Sequence, residues 1–429
     1  MEVMDILILV VLNVILSLRM AAIGLGGWAA VPTNDVDSRI PCRYGQKCYQ
    51  KNPLHHQKYK HPPKRKLETK DGIVKKKKKE VAAADVPICT VPVQVEDECK
   101  ALSVSKEEED LPPTPENEKE AIKQKFLVEM PEDFYSFWSF CQSLSPDKPE
   151  EALKHVGLLL VGPFDVLSGN LKKAKNRKLA IYLVHWRYYY DPPEFQTVIK
   201  GDDTKQYHVG YFRDDPQELP CFVASNAAAV GCTLTLMAEN IFGAVNCYLQ
   251  DMKRMCDPFQ KIKVSKIQTA LQSWAKDKNF PLDVSTAAMK ARNKKVVTKT
   301  FHNAGMVVPW NKETDLGYRK LIETDANLKQ ILRNVLGSSC KMERDAHLEK
   351  LQPVVTAVNI ANDECDFGAS LELGLDLFCF GGEIFHRTAL NLLKTAYSLL
   401  QRNEFAVIAE AHLKNRRKGT ALSVVDQDA

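Results

Sequence analysis

Glycine is scarce in this sequence, and the glycine-rich signatures of common nucleotide-dependent enzymes are missing. Only 20 of the 429 residues are glycine, below the roughly 7% of an average protein. The segment 123–417 contains no G-x-x-x-x-G-K-[ST], no G-x-G-x-x-G, no G-x-S-x-G and no H-E-x-x-H. These absences argue against an autonomous P-loop nucleotidase, a dinucleotide-dependent oxidoreductase, an α/β-hydrolase or a zinc protease.

Long hydrophobic runs are also lacking. The apolar run Ile6–Leu18 has 13 residues, whereas a membrane-spanning helix needs about 20. Glu2 and Asp5 precede this run, although a secretory signal peptide begins with positive charge. Two interpretations of residues 1–38 stay open: a targeting segment, or an upstream extension that precedes Met20. We expect no stable membrane association.

Paired cysteines are missing from most of the chain. Of the 12 cysteines, only Cys42 and Cys48 have a spacing typical of metal ligands, and the others occur singly. In a chain of this length, scattered cysteines without a disulfide framework are typical of intracellular proteins, whose thiols stay reduced.

Charge is distributed in blocks near the N-terminus. Residues 39–80 contain 15 Lys/Arg and 3 Asp/Glu, whereas residues 81–120 contain 3 Lys/Arg and 11 Asp/Glu. Because few apolar residues accompany these charges, segment 64–122 is predicted to be a disordered linker. Within it, Lys64–Lys66 and Lys75–Lys79 have the two-cluster pattern of a nuclear import signal. A solvated tail that binds any polyanion fits the same pattern.

Hydrophobic periodicity predicts an α+β fold for the globular part. Strands are predicted at His155–Val161, Leu179–Tyr190, Phe195–Ile199, Tyr207–Phe212 and Cys221–Ala224. Helices are predicted at Asn240–Met255, Lys263–Lys276, Thr324–Leu336, Glu343–Ile360, Glu383–Gln401 and Asn403–Asn415. We therefore expect a subdomain at 123–239 with a mixed or antiparallel sheet. It should pack on a mainly helical subdomain at 240–417, with a tail at 418–429.

The segment 39–63 has the composition of a tetrahedral zinc site. It contains two cysteines and two histidines at spacings suited to one ion: Cys42, Cys48, His55 and His61. Zinc binding supplies folding free energy that so short a segment cannot obtain from an apolar core. His56 in place of His55 remains an alternative ligand.

This segment resembles the poly(ADP-ribose)-binding zinc finger. The resemblance is carried by Arg39, Tyr44-Gly45, Cys48-Tyr49, Asn52-Pro53, Tyr59 and Pro62. It implies that Tyr44 and Tyr49 hold an adenine, where stacking is worth about 1–3 kcal/mol, and that a neighbouring basic residue holds its phosphates, for which Lys51 is the candidate here. Gln50 stands where that family usually has Arg, which removes a charge-assisted contact. The alternative is a zinc-stabilised segment that binds no polymer.

Acidic residues cluster among apolar ones in segment 359–379. Asp363, Glu364 and Asp366 follow a predicted helix and precede Gly368. Three interpretations fit this pattern. The segment is a solvated loop with capping acids, a metal site that lacks the twelve-position pattern of a calcium loop, or a carboxylate presented for proton transfer.

The globular part, residues 130–416, resembles the histone PARylation factor family. The resemblance is carried by Asn362–Asp366, Leu371–Gly374, Asp376–Cys379, Pro131–Tyr135, Val161–Pro163, His185–Arg187, Tyr189–Thr197, Gly210–Asp214, Lys294–His302, Gly317–Arg319 and Glu323–Ala326. It implies a nuclear factor that binds DNA-damage-activated poly(ADP-ribose) polymerase on chromatin and completes a joint active site. The joint site then modifies serine on histones, and NAD is engaged only through the partner polymerase.

The resemblance also implies roles for individual residues. The catalytic glutamate falls on Glu364, and contacts with the polymerase fall on Asp363, Tyr318, Arg319 and Arg387. Arg387 stands where a Lys is common, so the positive charge is retained.

The chemistry of a serine acceptor agrees with this role for Glu364. A serine hydroxyl is a weak nucleophile until a base removes its proton, and a free glutamate, with a pKa of about 4.3, is ionised at neutral pH. Two other function classes stay open. One is a chromatin scaffold that binds poly(ADP-ribose) without a catalytic role. The other is an autonomous ADP-ribosyl transferase or hydrolase, for which the sequence offers no NAD-binding pattern.

Overall fold

The structure is a computed structural model that describes residues 40–41, 59–60, 110–174 and 177–425. The chain forms two compact units, residues 1–90 and 91–429. In the first unit, strands β1 (Ile40–Pro41) and β2 (Tyr59–Lys60) pair in parallel, with Pro41 opposite Lys60. The predicted zinc ligands, the polymer-binding residues Tyr44, Tyr49 and Lys51, and both lysine clusters lie outside the described residues.

The second unit contains a five-stranded antiparallel sheet in the order β3-β4-β5-β6-β7. Its strands are β3 (Leu159–Leu160), β4 (Phe195–Lys200), β5 (Tyr207–Phe212), β6 (Phe222–Ala227) and β7 (Thr235–Ala238). Side chains alternate between the two faces of a strand, and both faces are covered here. Tyr211 and Val223 lie in the main core, whereas their neighbours Phe212 and Phe222 form a second apolar cluster.

Helices make up most of the rest of the second unit. They are α1 (Glu118–Phe126), α2 (Glu132–Leu144), α3 (Phe164–Leu167), α4 (Leu179–Leu183), α5 (Ile241–Met255), α6 (Pro258–Asp277), α7 (Ala287–Lys295), α8 (Asp325–Gly337), α9 (Lys341–Asp363), α10 (Phe367–Phe380), α11 (Glu383–Leu399) and α12 (Asn403–Lys414). The apolar faces of all these helices except α7 share the main core with the sheet, whereas Met289 of α7 lies in the second apolar cluster. The predicted α+β class is therefore confirmed. Within the described ranges, no helix combines the length and apolar character that a bilayer crossing requires.

The predicted strand Leu179–Tyr190 is wrong. Its first residues form α4, and consecutive turns follow, with i to i−3 hydrogen bonds such as that from the Val184 N–H to the Ile181 carbonyl at 3.3 Å. The buried guanidinium of Arg187 organises these turns by donating to three backbone carbonyls, those of Leu183, Pro192 and Phe195. Because the run is apolar at both odd and even positions, its alternation does not distinguish a strand from buried turns. His155–Val161 likewise contains only the two-residue strand β3.

Both predicted boundaries of the globular part need correction. Within the predicted linker 64–122, residues 110–122 belong to the described structure, and Asp110 pairs with Lys178 across an antiparallel bridge, so the predicted linker extends too far. The helix α1 starts at Glu118, and its apolar residues enter the main core although acidic residues dominate the local composition. At the other end, Leu422 and Val424 of the predicted tail are buried. A few apolar residues on one face are enough to anchor a segment that average composition marks as polar.

A buried carboxyl group links the sheet to the helices and predicts a pH effect. The side chain of Glu194 is buried and accepts a hydrogen bond from the Tyr397 hydroxyl at 2.7 Å. Burial raises the pKa of Glu194 from 4.5 to about 7, although the Tyr397 bond opposes the shift. Since the folded state keeps this proton longer than the unfolded state, Glu194 costs stability as the pH rises from about 4.5 through 7.

Replacement of Glu194 by Gln is therefore expected to increase the free energy of unfolding at pH 8 by about 3 kcal/mol and to leave it nearly unchanged at pH 4.5. Urea denaturation at both pH values measures the difference, with Glu349→Gln on the exposed surface of α9 as the control. An equal effect at both pH values would contradict the raised pKa.

Candidate functional site

The acidic segment forms a tight turn between two helices. The helix α9 ends at Asp363, and Glu364 caps it. The Cys365 N–H donates to the Asn362 carbonyl at 3.0 Å, and the Asp366 N–H donates to the Ala361 carbonyl at 2.8 Å. This is the Schellman pattern of a helix end, with Cys365 in the left-handed position that glycine usually occupies (φ 70°). The turn fixes the direction in which Glu364 leaves the helix.

Most of the segment that the sequence marks as a loop is helical. The helix α10 begins at Phe367, directly after the turn, and is buried along almost its entire length. Its glycines and acidic residues lower the apparent helical amphipathicity, because a helix surrounded by other elements has no polar face to reveal its period. The loop is thus reduced to residues 364–366.

Arg319 joins both carboxylates of the turn. Its Nη2 atom lies 2.5 Å from Oε2 of Glu364 and 2.9 Å from Oδ2 of Asp366. The Arg319 side chain is 52% exposed, that of Glu364 24% and that of Asp366 only 4%. Partial burial disfavours the guanidinium charge, but the two carboxylates outweigh it, and the pKa of Arg319 is raised. The result is an ion cluster in which Asp366 is buried and Arg319 is exposed to solvent.

Asp366 is the inner anchor of this cluster. Its Oδ1 atom accepts the Gly317 N–H at 3.0 Å, while Oδ2 faces Arg319. The Gly317 carbonyl in turn accepts the Gly368 N–H at 3.0 Å. One carboxylate therefore holds the backbone and the side chain of segment 317–319 against the start of α10. Asp366 belongs to the acidic cluster of the sequence, but no local pattern predicts its role as an anchor.

Tyr318 lies inside the protein, contrary to the prediction that it contacts a partner. Its side chain is buried, and its hydroxyl donates to Oε2 of Glu372 at 3.1 Å. Thr298 donates to the other oxygen of the same carboxylate at 2.8 Å. Burial is the first cause of the raised pKa values of both Tyr318 and Glu372. Since its neighbour Arg319 points outward, Tyr318 can act on a partner only by positioning Arg319.

The other two predicted contact residues are at the surface. Asp363 is exposed on the last turn of α9, and Arg387 is exposed on α11. Arg387 makes none of the contacts that hold Arg319, Glu364 and Asp366 together. Ion pairs thus bring Arg319 to the Glu364 turn, Asp363 adjoins the turn as the last residue of α9, and Arg387 belongs to another helix.

A cavity of about 930 Å³ borders the turn. Its walls come from the loop 309–317, from Cys365 and Phe367 beside the turn, and from residues 399–401 at the end of α11. These three segments are far apart in sequence, so no local pattern indicates the cavity. The turn that carries Glu364 therefore borders a recess through its neighbour Cys365.

The arrangement suits proton transfer better than metal binding. Within residues 110–174 and 177–425, no group of three or more His, Cys, Asp or Glu side chains is placed to hold a metal ion. Glu364 and Asp366 instead share a cation from the protein itself. A carboxylate that is partly exposed and held in one direction is suited to accept a proton from a bound partner molecule.

Gly317 lies in a segment that has no room for an added methyl group. Its φ of 107° is rarely adopted by other residues, and an added Cβ would lie 2.0 Å from the Pro309 carbonyl oxygen. Gly317→Ala is therefore expected to lower the free energy of unfolding by at least about 2 kcal/mol. Urea denaturation measures the loss. Gly337→Ala, where nothing lies within 4 Å of the added carbon, is the control, and equal stability of the two variants would contradict the expected clash.

Comparisons with known proteins agree with both resemblances. The histone PARylation factor 1 family matches residues 117–416, and the PBZ domain matches residues 39–64. Histone PARylation factor 1 of Bos taurus is 47% identical over 299 residues, which cover 69% of this chain and 86% of the bovine protein. The Mus musculus protein of the same name is 46% identical over 297 residues, covering 69% and 86%. The putative histone PARylation factor 1-like protein of Homo sapiens is 42% identical over 299 residues, also covering 69% and 86%. The chain therefore belongs to the histone PARylation factor 1 family and carries a PBZ zinc-finger domain near its N-terminus.

Proposed function

We propose that this protein binds an activated poly(ADP-ribose) polymerase and completes its active site, with Glu364 as the general base for ADP-ribosylation of serine. The observation that carries the proposal is the Glu364 carboxylate on a rigid turn, partly exposed and beside the half-exposed Arg319. The name of the family, histone PARylation factor 1, supports the more general statement that this protein is a polymerase-associated factor of histone modification.

The chemical step needs two molecules. The serine Oγ attacks the anomeric carbon of the NAD ribose while the bond to nicotinamide breaks, in a reaction whose transition state resembles that of glycoside cleavage. The Glu364 carboxylate accepts the hydroxyl proton, which makes the oxygen nucleophilic as the new bond forms. NAD is bound by the polymerase, and this chain contributes the base. Transfer to serine then depends on assembly of the two proteins.

Surface residues near the turn supply the contacts with the polymerase. Arg319 offers a guanidinium that is anchored by Asp366 and remains half exposed, so little side-chain entropy is lost when it binds. Asp363 and Arg387 are exposed and charged and add contacts on either side. Tyr318 contributes indirectly, because its bond to Glu372 fixes the backbone beside Arg319.

The PBZ domain adds recognition of the polymer product. Cys42, Cys48, His55 and His61 are proposed to bind one zinc ion, and the adjacent aromatic residues Tyr44 and Tyr49, with Lys51, to bind poly(ADP-ribose). The parallel pairing of β1 with β2 supports this arrangement, because these strands immediately precede the first and the last of the four ligands. Together with the lysine clusters, the domain supports action in the nucleus on chromatin at sites of DNA damage.

Reconstitution tests the proposed function. The purified chain is mixed with an activated polymerase, NAD and a histone tail peptide, and the modified side chains are mapped by mass spectrometry. Serine modification that requires both proteins is expected. Modification of acidic residues alone, with and without this chain, would support the scaffold interpretation instead, and transfer by this chain with NAD alone would indicate an autonomous enzyme.

A further inference from the structure

Three large apolar side chains are exposed at the junction of α5 and α6. Met255 is 84% exposed, Phe259 82% and Ile262 58%. They lie within eight consecutive residues, and exposed apolar side chains of this size rarely cluster on a protein surface without an interaction that covers them. The junction is therefore a candidate interaction surface.

The fold holds this junction away from the core. Asp257 caps α6 by accepting the N–H groups of Phe259 and Gln260 at 2.9 and 3.0 Å. The buried face of α6 begins only at Val264 and continues to Ala275, so the first turns of the helix, residues 258–263, are exposed. Phe259 and Ile262, three residues apart, share one side of these turns. The protein's own packing does not account for them.

A groove of about 780 Å³ runs along the same side of α6. Its lining includes Lys253 from α5 together with Lys261, Ile262, Lys266 and Ala270 from α6. Lysine side chains border the groove with their apolar stems and carry their charge at the rim. The groove is therefore apolar inside and positively charged outside.

The acidic residues near the groove are paired with other groups and do not neutralise the positive charge of its rim. Asp251 is paired with Arg254 at 2.9 Å, and Asp257 is occupied by the two backbone N–H groups that it caps. Lys263 adds a further exposed positive charge beside the groove. A basic partner such as a free histone tail is repelled by this surface.

We propose that the α5–α6 junction docks onto the acidic face of a folded core-histone heterodimer, with Phe259 and Ile262 inserted into an apolar cleft that carboxylates surround; the choice of a histone partner rests on the proposed function. A nucleic-acid phosphate backbone would pair with the lysines but leave Met255, Phe259 and Ile262 in water. An acidic protein face with an apolar centre matches both features at once, which is the usual anatomy of a specific interface. This docking does not depend on Glu364 and adds a second contact surface to the protein.

Binding of the full chain to the folded core-histone heterodimer that forms the acidic face of the nucleosome tests the proposal by isothermal titration calorimetry. The double variants Phe259→Ser with Ile262→Ser, and Lys261→Glu with Lys266→Glu, are each expected to weaken binding at least about tenfold. Two matched controls are expected to bind as the wild type does. They are Val230→Ser, another apolar residue that is 85% exposed, and Lys276→Glu, an exposed lysine at the far end of α6.

Three outcomes would overturn the proposal. In the first, the wild-type chain does not bind the heterodimer. In the second, only the lysine double variant weakens binding and a DNA duplex competes with equal affinity, which would indicate a polyanion site. In the third, the chain binds phosphatidylserine vesicles through Phe259 but not the heterodimer, which would indicate a membrane surface.

Discussion

The Glu364→Gln protein is expected to bind the polymerase with unchanged affinity and to lose serine ADP-ribosylation by at least about 100-fold, the usual contribution of a general base. Glutamine has nearly the same shape as glutamate and still offers an oxygen to Arg319, so the turn and the partner contacts remain. It has no basic oxygen that accepts a proton at neutral pH. Only the chemical step is therefore lost.

Two measurements distinguish a role of Glu364 as the general base from a structural role in the interface. Calorimetric titration of the variant against the polymerase reports binding, and mass-spectrometric mapping of a histone tail peptide reports serine transfer. Glu349→Gln, an exposed glutamate on the same helix, should behave as the wild type in both. Serine transfer retained by Glu364→Gln would refute the proposed base, whereas lost binding would assign Glu364 to the interface.

Removal of zinc is expected to abolish poly(ADP-ribose) binding by the N-terminal finger while the thermal unfolding of the globular part stays unchanged. A segment of some 26 residues, 39–64, cannot bury enough apolar surface to fold alone. Structural zinc supplies about 10–16 kcal/mol in finger peptides of this kind, so the stacking geometry of Tyr44 and Tyr49 depends on the ion.

The measurement is polymer binding by the full chain before and after chelation, and again after zinc is restored. Cys48→Ser should reproduce the loss without a chelator, and Cys340→Ser, an exposed free cysteine of the globular part, should not. Polymer binding that survives chelation would contradict a zinc-dependent site. If Tyr49→Ala leaves polymer binding intact in the zinc-loaded protein, the proposed stacking of an adenine on Tyr49 is refuted.

The helices and central strands were predictable because their causes are local. The spacing of apolar residues in β4, β5 and β6 and in the later helices is set within a few residues of each position. The predicted helix Thr324–Leu336 illustrates this: Thr324, its first residue, caps α8 and accepts the Asn327 N–H at 3.3 Å. The helix ends at Gly337, one residue beyond the predicted end, which is within the one or two residues by which helix ends fray.

Prediction failed where burial on both sides hid the local pattern. In Leu179–Tyr190, apolar residues occupy both odd and even positions, so their spacing does not distinguish a strand from turns. The hydrogen bonds of Arg187 to backbone carbonyls stabilise turns in place of a strand. The helix α10 was missed for a related reason, because its Glu372 and Asp376 are buried among partners contributed by Thr298, Tyr318 and Phe301.

By itself, the sequence determined the α+β class, the family, the zinc-ligand pattern and the position of Glu364 at a helix end, because each of these depends on neighbouring residues or on a motif. The tertiary structure alone decided that Tyr318 is buried and Arg319 exposed. It also decided that Arg319 reaches a carboxylate 45 residues away in sequence and that a cavity borders the turn. Exposure and long-range pairing follow from how α10 packs against segment 317–319, and no short stretch of sequence contains that information.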